Sequence, residues 1–155
     1  MDNIQPTTRI TVPVIALSFY AIASGYLMSS LPLMLSEYGL DSNLSSWLAS
    51  AFYAGLLAGT LLIERAIARV GHKDAFVIAL SVFIATILVL PLIPHQAVWL
   101  LARFVAGVAV AGIFVIVESW LMSGDESQRA KRLGVYMCSL YGGSAVGQLL
   151  SLIHI

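Results

Sequence analysis

Residues 98–122 read VWLLARFVAGVAVAGIFVIVESWLM, broken only by Arg103 and Glu118 as charged side chains. Crossing the hydrocarbon of a bilayer as a helix takes about 20 largely apolar residues. This stretch supplies them with no Pro and no turn signal. Four other stretches have the same character: Val12–Leu35, Trp47–Ile67, Ala75–Ile93 and Leu133 to the end of the chain. Strands of a membrane barrel would instead show about ten residues of alternating polarity. The expected fold class is all-α, a polytopic bundle of membrane helices occupying residues 1–155.

Composition agrees. Hydrophobic residues make up 59% of the chain and charged residues 10%, with mean hydropathy +0.92. Soluble domains have about 45–50% apolar and about 25% charged residues, so this chain lacks the polar surface a water-soluble particle needs. A nucleic-acid binder would cluster Lys and Arg on one face, whereas here 8 basic residues balance 8 acidic ones without a long run. A single cysteine excludes a disulfide framework and a thiolate zinc site.

The basic residues set the expected orientation. Arg9 precedes the first span, Arg65, Arg69 and Lys73 surround the link between spans two and three, and Arg129, Lys131 and Arg132 lie in the polar segment Ser123–Arg132. All fall on one side of the membrane. The opposite links, Ser36–Ser46 and Pro94–Ala97, contain neither Lys nor Arg. Positive charge stays cytoplasmic, which places the N-terminus inside. Ala21-Ile22-Ala23 has the form of a signal-peptidase site, but the apolar run continues to Leu35, past the about 7–15 residues of a signal core, so span one is expected to remain.

Charges within a bilayer are costly and mark candidate functional positions. Arg103 lies about 7–8 Å from the outer end of span four by helix rise. Its stem either snorkels to the interface or places a permanent charge on an internal cavity. Glu118 lies about 22 Å further along the helix, too far to pair with Arg103. An ion pair with Arg65, Arg69, Arg129 or Arg132 is expected for it, and an interfacial network for Glu64 and Arg65. Ser139, Gly143, Gly147 and Ser151 form one strip of small residues on span five, and Ala51, Gly55 and Gly59 another on span two. In lipid such strips let helices approach closely. Ser18, Gly25, Ser29 and Pro32 share a side of span one; Tyr53 and Thr60 share a face of span two, and Tyr141 and Gln148 a face of span five. These side chains serve either interhelical hydrogen bonding or the wall of a partly wet path. His72, His95 and His154 have no second ligand at metal spacing, and no phosphate loop or nucleophile–base set occurs. No metal, cofactor or enzymatic activity is expected.

Three places in the sequence resemble the major facilitator superfamily. Arg103-Phe-Val-Ala-Gly107 is similar to its fourth-helix Arg-x-x-x-Gly signature. Arg69-Val-Gly71-His-Lys73 is similar to the second half of its signature loop, and Arg129-Ala-Lys-Arg132-Leu-Gly134 to the basic approach to its fifth helix. From Arg103 to Leu150 the chain most resembles the YcaD-type group of bacterial inner-membrane transporters. The resemblance implies the first five helices of an N-terminal bundle, whose missing partner is the C-terminal half of the same transporter. It further implies alternating access for a small-molecule solute, with proton coupling expected. Arg103, Tyr53, Tyr141, Gln148 and Ser29 become candidates for the substrate path or coupling. Glu64, Arg65, Arg69, Gly71, Lys73, Glu118, Arg129 and Arg132 become candidates for a cytoplasmic gate network. Gly55, Gly59, Gly107, Gly143 and Gly147 become candidates for helix packing.

There are departures. The superfamily's loop usually carries Gly and, four residues later, Asp, where this chain has Glu64 and Ala68. Gly147 is followed by Gln148 rather than the Pro of the antiporter signature. Spans one, two, three and five hold no embedded acid, so the residues identify no proton carrier here. With five of about twelve spans, and with Leu150–Ile155 resembling translated sequencing-adapter read-through, the chain is expected to be a fragment that does not transport by itself. A small membrane scaffold or assembly subunit is the alternative. A small dimeric exporter would need a Glu in span one, which is absent.

Overall fold

The computed structural model describes residues 11–122 and 126–153; Arg9, Asp125 and His154 lie outside them. Among the described residues the chain forms α1 (Thr11–Glu37), α2 (Leu44–Val70), α3 (His72–Leu92), α4 (Gln96–Met122) and α5 (Glu126–Ile153), with no strand. Four of these helices, α1 to α4, are long and apolar enough to cross a membrane. α5 is of similar length but less apolar, because Gly, Ser, Tyr and Gln interrupt its hydrophobic residues.

Specific residues set the ends. Gly39, at φ +67°, closes α1: its N–H donates to the Ser36 carbonyl and that of Leu40 to the Leu35 carbonyl. This is a Schellman cap, which gives the last carbonyls partners. Asp41 then accepts from the Asn43 N–H at 2.9 Å, turning the chain into α2. Gly71 alone joins α2 to α3, at φ +83° and ψ 165°, a backbone region open essentially to glycine only. The polar segment Ser123–Arg132, expected to be a link, is helical from Glu126 onward. Glu126 favours the positive helix start, and Arg129 meets it at 3.2 Å one turn later.

Trp99 closes the α3–α4 link. Pro94 has no N–H, so the helical position four residues earlier, the Leu90 carbonyl, loses its donor. The Trp99 Nε1–H supplies it at 2.9 Å and also donates to the Ile93 carbonyl at 3.1 Å. Trp99 is fully buried, with the Tyr38 ring edge-on at 5.9 Å. A three-residue link, residues 93–95, therefore joins two helices, with the Leu90, Ile93 and His95 carbonyls all hydrogen-bonded.

The chain divides into two compact units, one of Met1–Ser29 with Val117–Ile155 and one of Ser30–Ile116. In the first, α1 packs on α5. In the second, α2 and α3 pack with the body of α4. Lipid tails are as apolar as Leu, so helices in a bilayer associate through close packing and not through hydrophobic exclusion. The glycines carry that closeness in both units.

Candidate functional site

The second unit is built on an α2/α4 crossing. A Cβ added at Gly55 would run into the Phe104 carbonyl oxygen, and one at Gly107 into that of Phe52. At Gly59 it would meet the Ala111 Cβ at 2.7 Å and the Val108 carbonyl oxygen at 2.8 Å. The helices touch backbone to backbone, and no larger residue fits at these positions without separating them. One turn before Gly107, this contact holds Arg103. It is 3% exposed, and its guanidinium lies 4.5 Å from the centroid of the Phe52 ring. Phe52 in turn meets Tyr53 edge-on at 5.6 Å. A cation over a desolvated ring gains about 2 kcal/mol, and the burial rules out the snorkelling alternative for Arg103. Tyr53 is 59% exposed, with its ring on the outside of this cluster.

The first unit is built on an α1/α5 crossing. A Cβ on Gly147 would run into the Ile22 carbonyl oxygen, and one on Gly25 into that of Ser144. Gly143 meets the Ala21 Cβ at 2.8 Å. Gly25, expected beside Ser29 on a possible cavity wall, instead lies in this packing seam because α5 occupies that side of α1. Ser29 is half-buried, whereas Tyr141 and Gln148 are exposed on α5.

Glu118 has a partner on α5. The Tyr136 hydroxyl donates to its Oε1 at 2.9 Å, joining α4 to α5 within the first unit. Arg129 is held by Glu126 on its own helix. Tyr136 is buried and oriented toward Glu118, so a neutral donor one helix away satisfies the carboxylate. Glu64, Arg65, Arg69 and Lys73 are all exposed around the α2–α3 link, and Arg132 is half-buried. The hydroxyls of Ser18 and Thr60 donate to carbonyls of their own helices, Val14 at 2.9 Å and Leu57 at 2.7 Å. Neither forms the interhelical bond that their faces suggested. Among the described residues no group of His, Cys, Asp and Glu could hold a metal.

Phe52, Trp99 and Tyr136 are the structural partners that the sequence did not single out. A signal existed for Trp99: Pro94 orphans a carbonyl beside it. None existed for Phe52 or Tyr136, which look like ordinary apolar positions.

Residues 14–154 match the family described as the Major Facilitator Superfamily. The chain belongs to the major facilitator superfamily. It is similar to the uncharacterized MFS-type transporter YcaD of Escherichia fergusonii, 38% identical over 130 residues, covering 83% of this chain and 34% of that protein. It is 35% identical over 130 residues to an uncharacterized MFS-type transporter of Enterobacter sp. strain 638, and 37% identical over 134 residues to YcaD of Escherichia coli O139:H28; in both pairs the match covers 83% of this chain and 34% of the relative. The chain thus spans about a third of the length of these relatives. No solved structure matches it. As a superfamily member it is an integral membrane protein, and Arg103 and Gly107, which resemble the superfamily's fourth-helix signature, are both buried at the α2/α4 seam.

Proposed function

We propose that this chain is part of a secondary transporter that moves a small solute across a bacterial inner membrane by alternating access, with its N-terminus cytoplasmic and α5 as a fifth span. Superfamily membership supports the transporter class. The observation that carries the site is the buried Arg103, held over Phe52 at a helix crossing too tight for any side chain at Gly55 or Gly107. A charge kept at depth is expensive. Arginine stays ionised at all accessible pH, so Arg103 serves as a fixed positive element for an anionic group or a neighbouring acid and not as a proton carrier. Coupling to protons would then use an acid elsewhere in the longer protein. The basic residues on the α2–α3 link and at the start of α5 support the cytoplasmic assignment of those ends.

Rocking of two bundles about a central site needs more helices than this chain contains. Transport is therefore measured on a full-length relative carrying this segment, reconstituted in vesicles. Arg103→Ala is expected to reduce uptake at least about tenfold, with Arg103→Lys intermediate because a point charge replaces the planar group over the ring. Unchanged kinetics and pH dependence in Arg103→Ala would overturn the assignment.

A further inference from the structure

A cavity of about 360 Å³ opens between α2, α3 and the middle of α4. Ile78, Val82, Val108, Ala109 and Gly112 line it, and Arg69 is its charged lining residue. The lining positions on α2 and α3, from Ile63 to Val82, lie within about three turns of the Gly71 link, roughly 16 Å of helix. That depth matches one leaflet, about half of the roughly 30 Å hydrocarbon core. Arg69 is exposed at the end of α2, with Arg65 and Lys73 close by in sequence. Among the described residues none of the three has an ion-pair partner.

We propose that this cavity binds an anionic phospholipid, with one acyl chain against the apolar lining and the phosphate on Arg69. Size favours a lipid chain over a further helix, because a helix is about 10–12 Å across with its side chains and would cover such a space without entering it. Charge favours an anionic headgroup: Arg65, Arg69 and Lys73 outnumber the acidic Glu64 and Asp74 at this end, none of the three is ion-paired among the described residues, and the ammonium of a zwitterionic lipid would be brought toward them. Basic pockets between membrane helices at the inner face hold anionic headgroups by this combination.

The test is native mass spectrometry of the 155-residue chain released from detergent, with phosphatidylglycerol and phosphatidylethanolamine as probes. Phosphatidylglycerol adducts are expected to survive preferentially. Arg69→Gln is expected to weaken them about fivefold and leave phosphatidylethanolamine unchanged, and Arg69→Lys to keep most of the binding. Ile78→Trp, at an exposed lining position that tolerates bulk, is expected to reduce retention of both lipids by filling the space. Circular dichroism confirms that each variant stays helical. Equal retention of the two lipids by the unaltered chain would overturn the proposal, as would phosphatidylglycerol binding that neither Arg69→Gln nor Ile78→Trp reduces. Binding is read without transport, so its failure is distinguishable from failure of the transporter reading.

Discussion

The α2/α4 seam and the α1/α5 seam use the same backbone device with different chemistry around it. Gly55 and Gly59 on α2 meet α4 at Phe104 and Val108; Gly143 and Gly147 on α5 meet α1 at Ser18 and Ile22. The spacing is identical on all four helices. In that register Arg103 on α4 corresponds to Leu17 on α1, and Phe52 on α2 to Leu140 on α5. One seam therefore carries a buried cation over an aromatic ring, where the other carries leucine, with Leu17 fully buried. Tyr53 and Tyr141 also correspond, and both are exposed. Superfamily halves contain nested three-helix repeats, and paired seams are what such a repeat produces. Close approach is thus the shared structural requirement, and the arginine is an addition to one copy. That separation argues against a purely structural role for Arg103, since the leucine copy packs without it.

The comparison can be broken most sharply at the arginine and its leucine counterpart. Leu17→Arg buries a charge at a site with no aromatic in the Phe52 position, and is expected to destabilise the chain by about 3 kcal/mol. Arg103→Leu, which makes the seams alike, is expected to change stability by less than about 1 kcal/mol. Detergent-titrated unfolding followed by circular dichroism measures both, and equal losses would erase the distinction. A smaller contrast lies in the glycines. Gly55→Ala sets a methyl against a backbone carbonyl that cannot move aside, costing about 3 kcal/mol. Gly143→Ala presses first on the Ala21 methyl and costs about 1 kcal/mol. The same unfolding assay reads them, and a larger loss at Gly143 would show that α1/α5 is the tighter seam. The smallest contrast lies in the polar ties. Trp99→Phe leaves the buried Leu90 carbonyl without a donor and costs about 2 kcal/mol. Tyr136→Phe loses one hydrogen bond to an exposed carboxylate and costs about 0.6 kcal/mol. Reversal of that order would mean that Glu118 depends on Tyr136 more than the geometry indicates.

The α2–α3 link shows how far local chemistry reaches. Gly71 was legible as a turn residue beside basic neighbours, and it adopts a conformation that only glycine takes readily. The start of α5 was not legible as helix, because Ser123–Arg132 is the most polar part of the chain. Polarity marks where a helix leaves the hydrocarbon and not where its hydrogen bonding begins. One Glu118 partner was not legible for a related reason. Charge spacing points to basic residues, whereas a buried tyrosine on the neighbouring helix donates to the carboxylate at 2.9 Å, and no periodicity announces that pairing.

The sequence by itself determined the membrane class, the helical fold, the family and the glycine spacing. Those follow from composition, run length and local backbone freedom, which need no knowledge of neighbours. Only the tertiary structure decided that Arg103 is buried and not snorkelling, that Phe52 covers it, that Gly25 faces α5, and that Trp99 rescues the carbonyl orphaned by Pro94. Each of these depends on which helix lies across the seam. In lipid that choice is made by backbone fit and the pairing of individual polar groups, and neither quantity is written along a single helix.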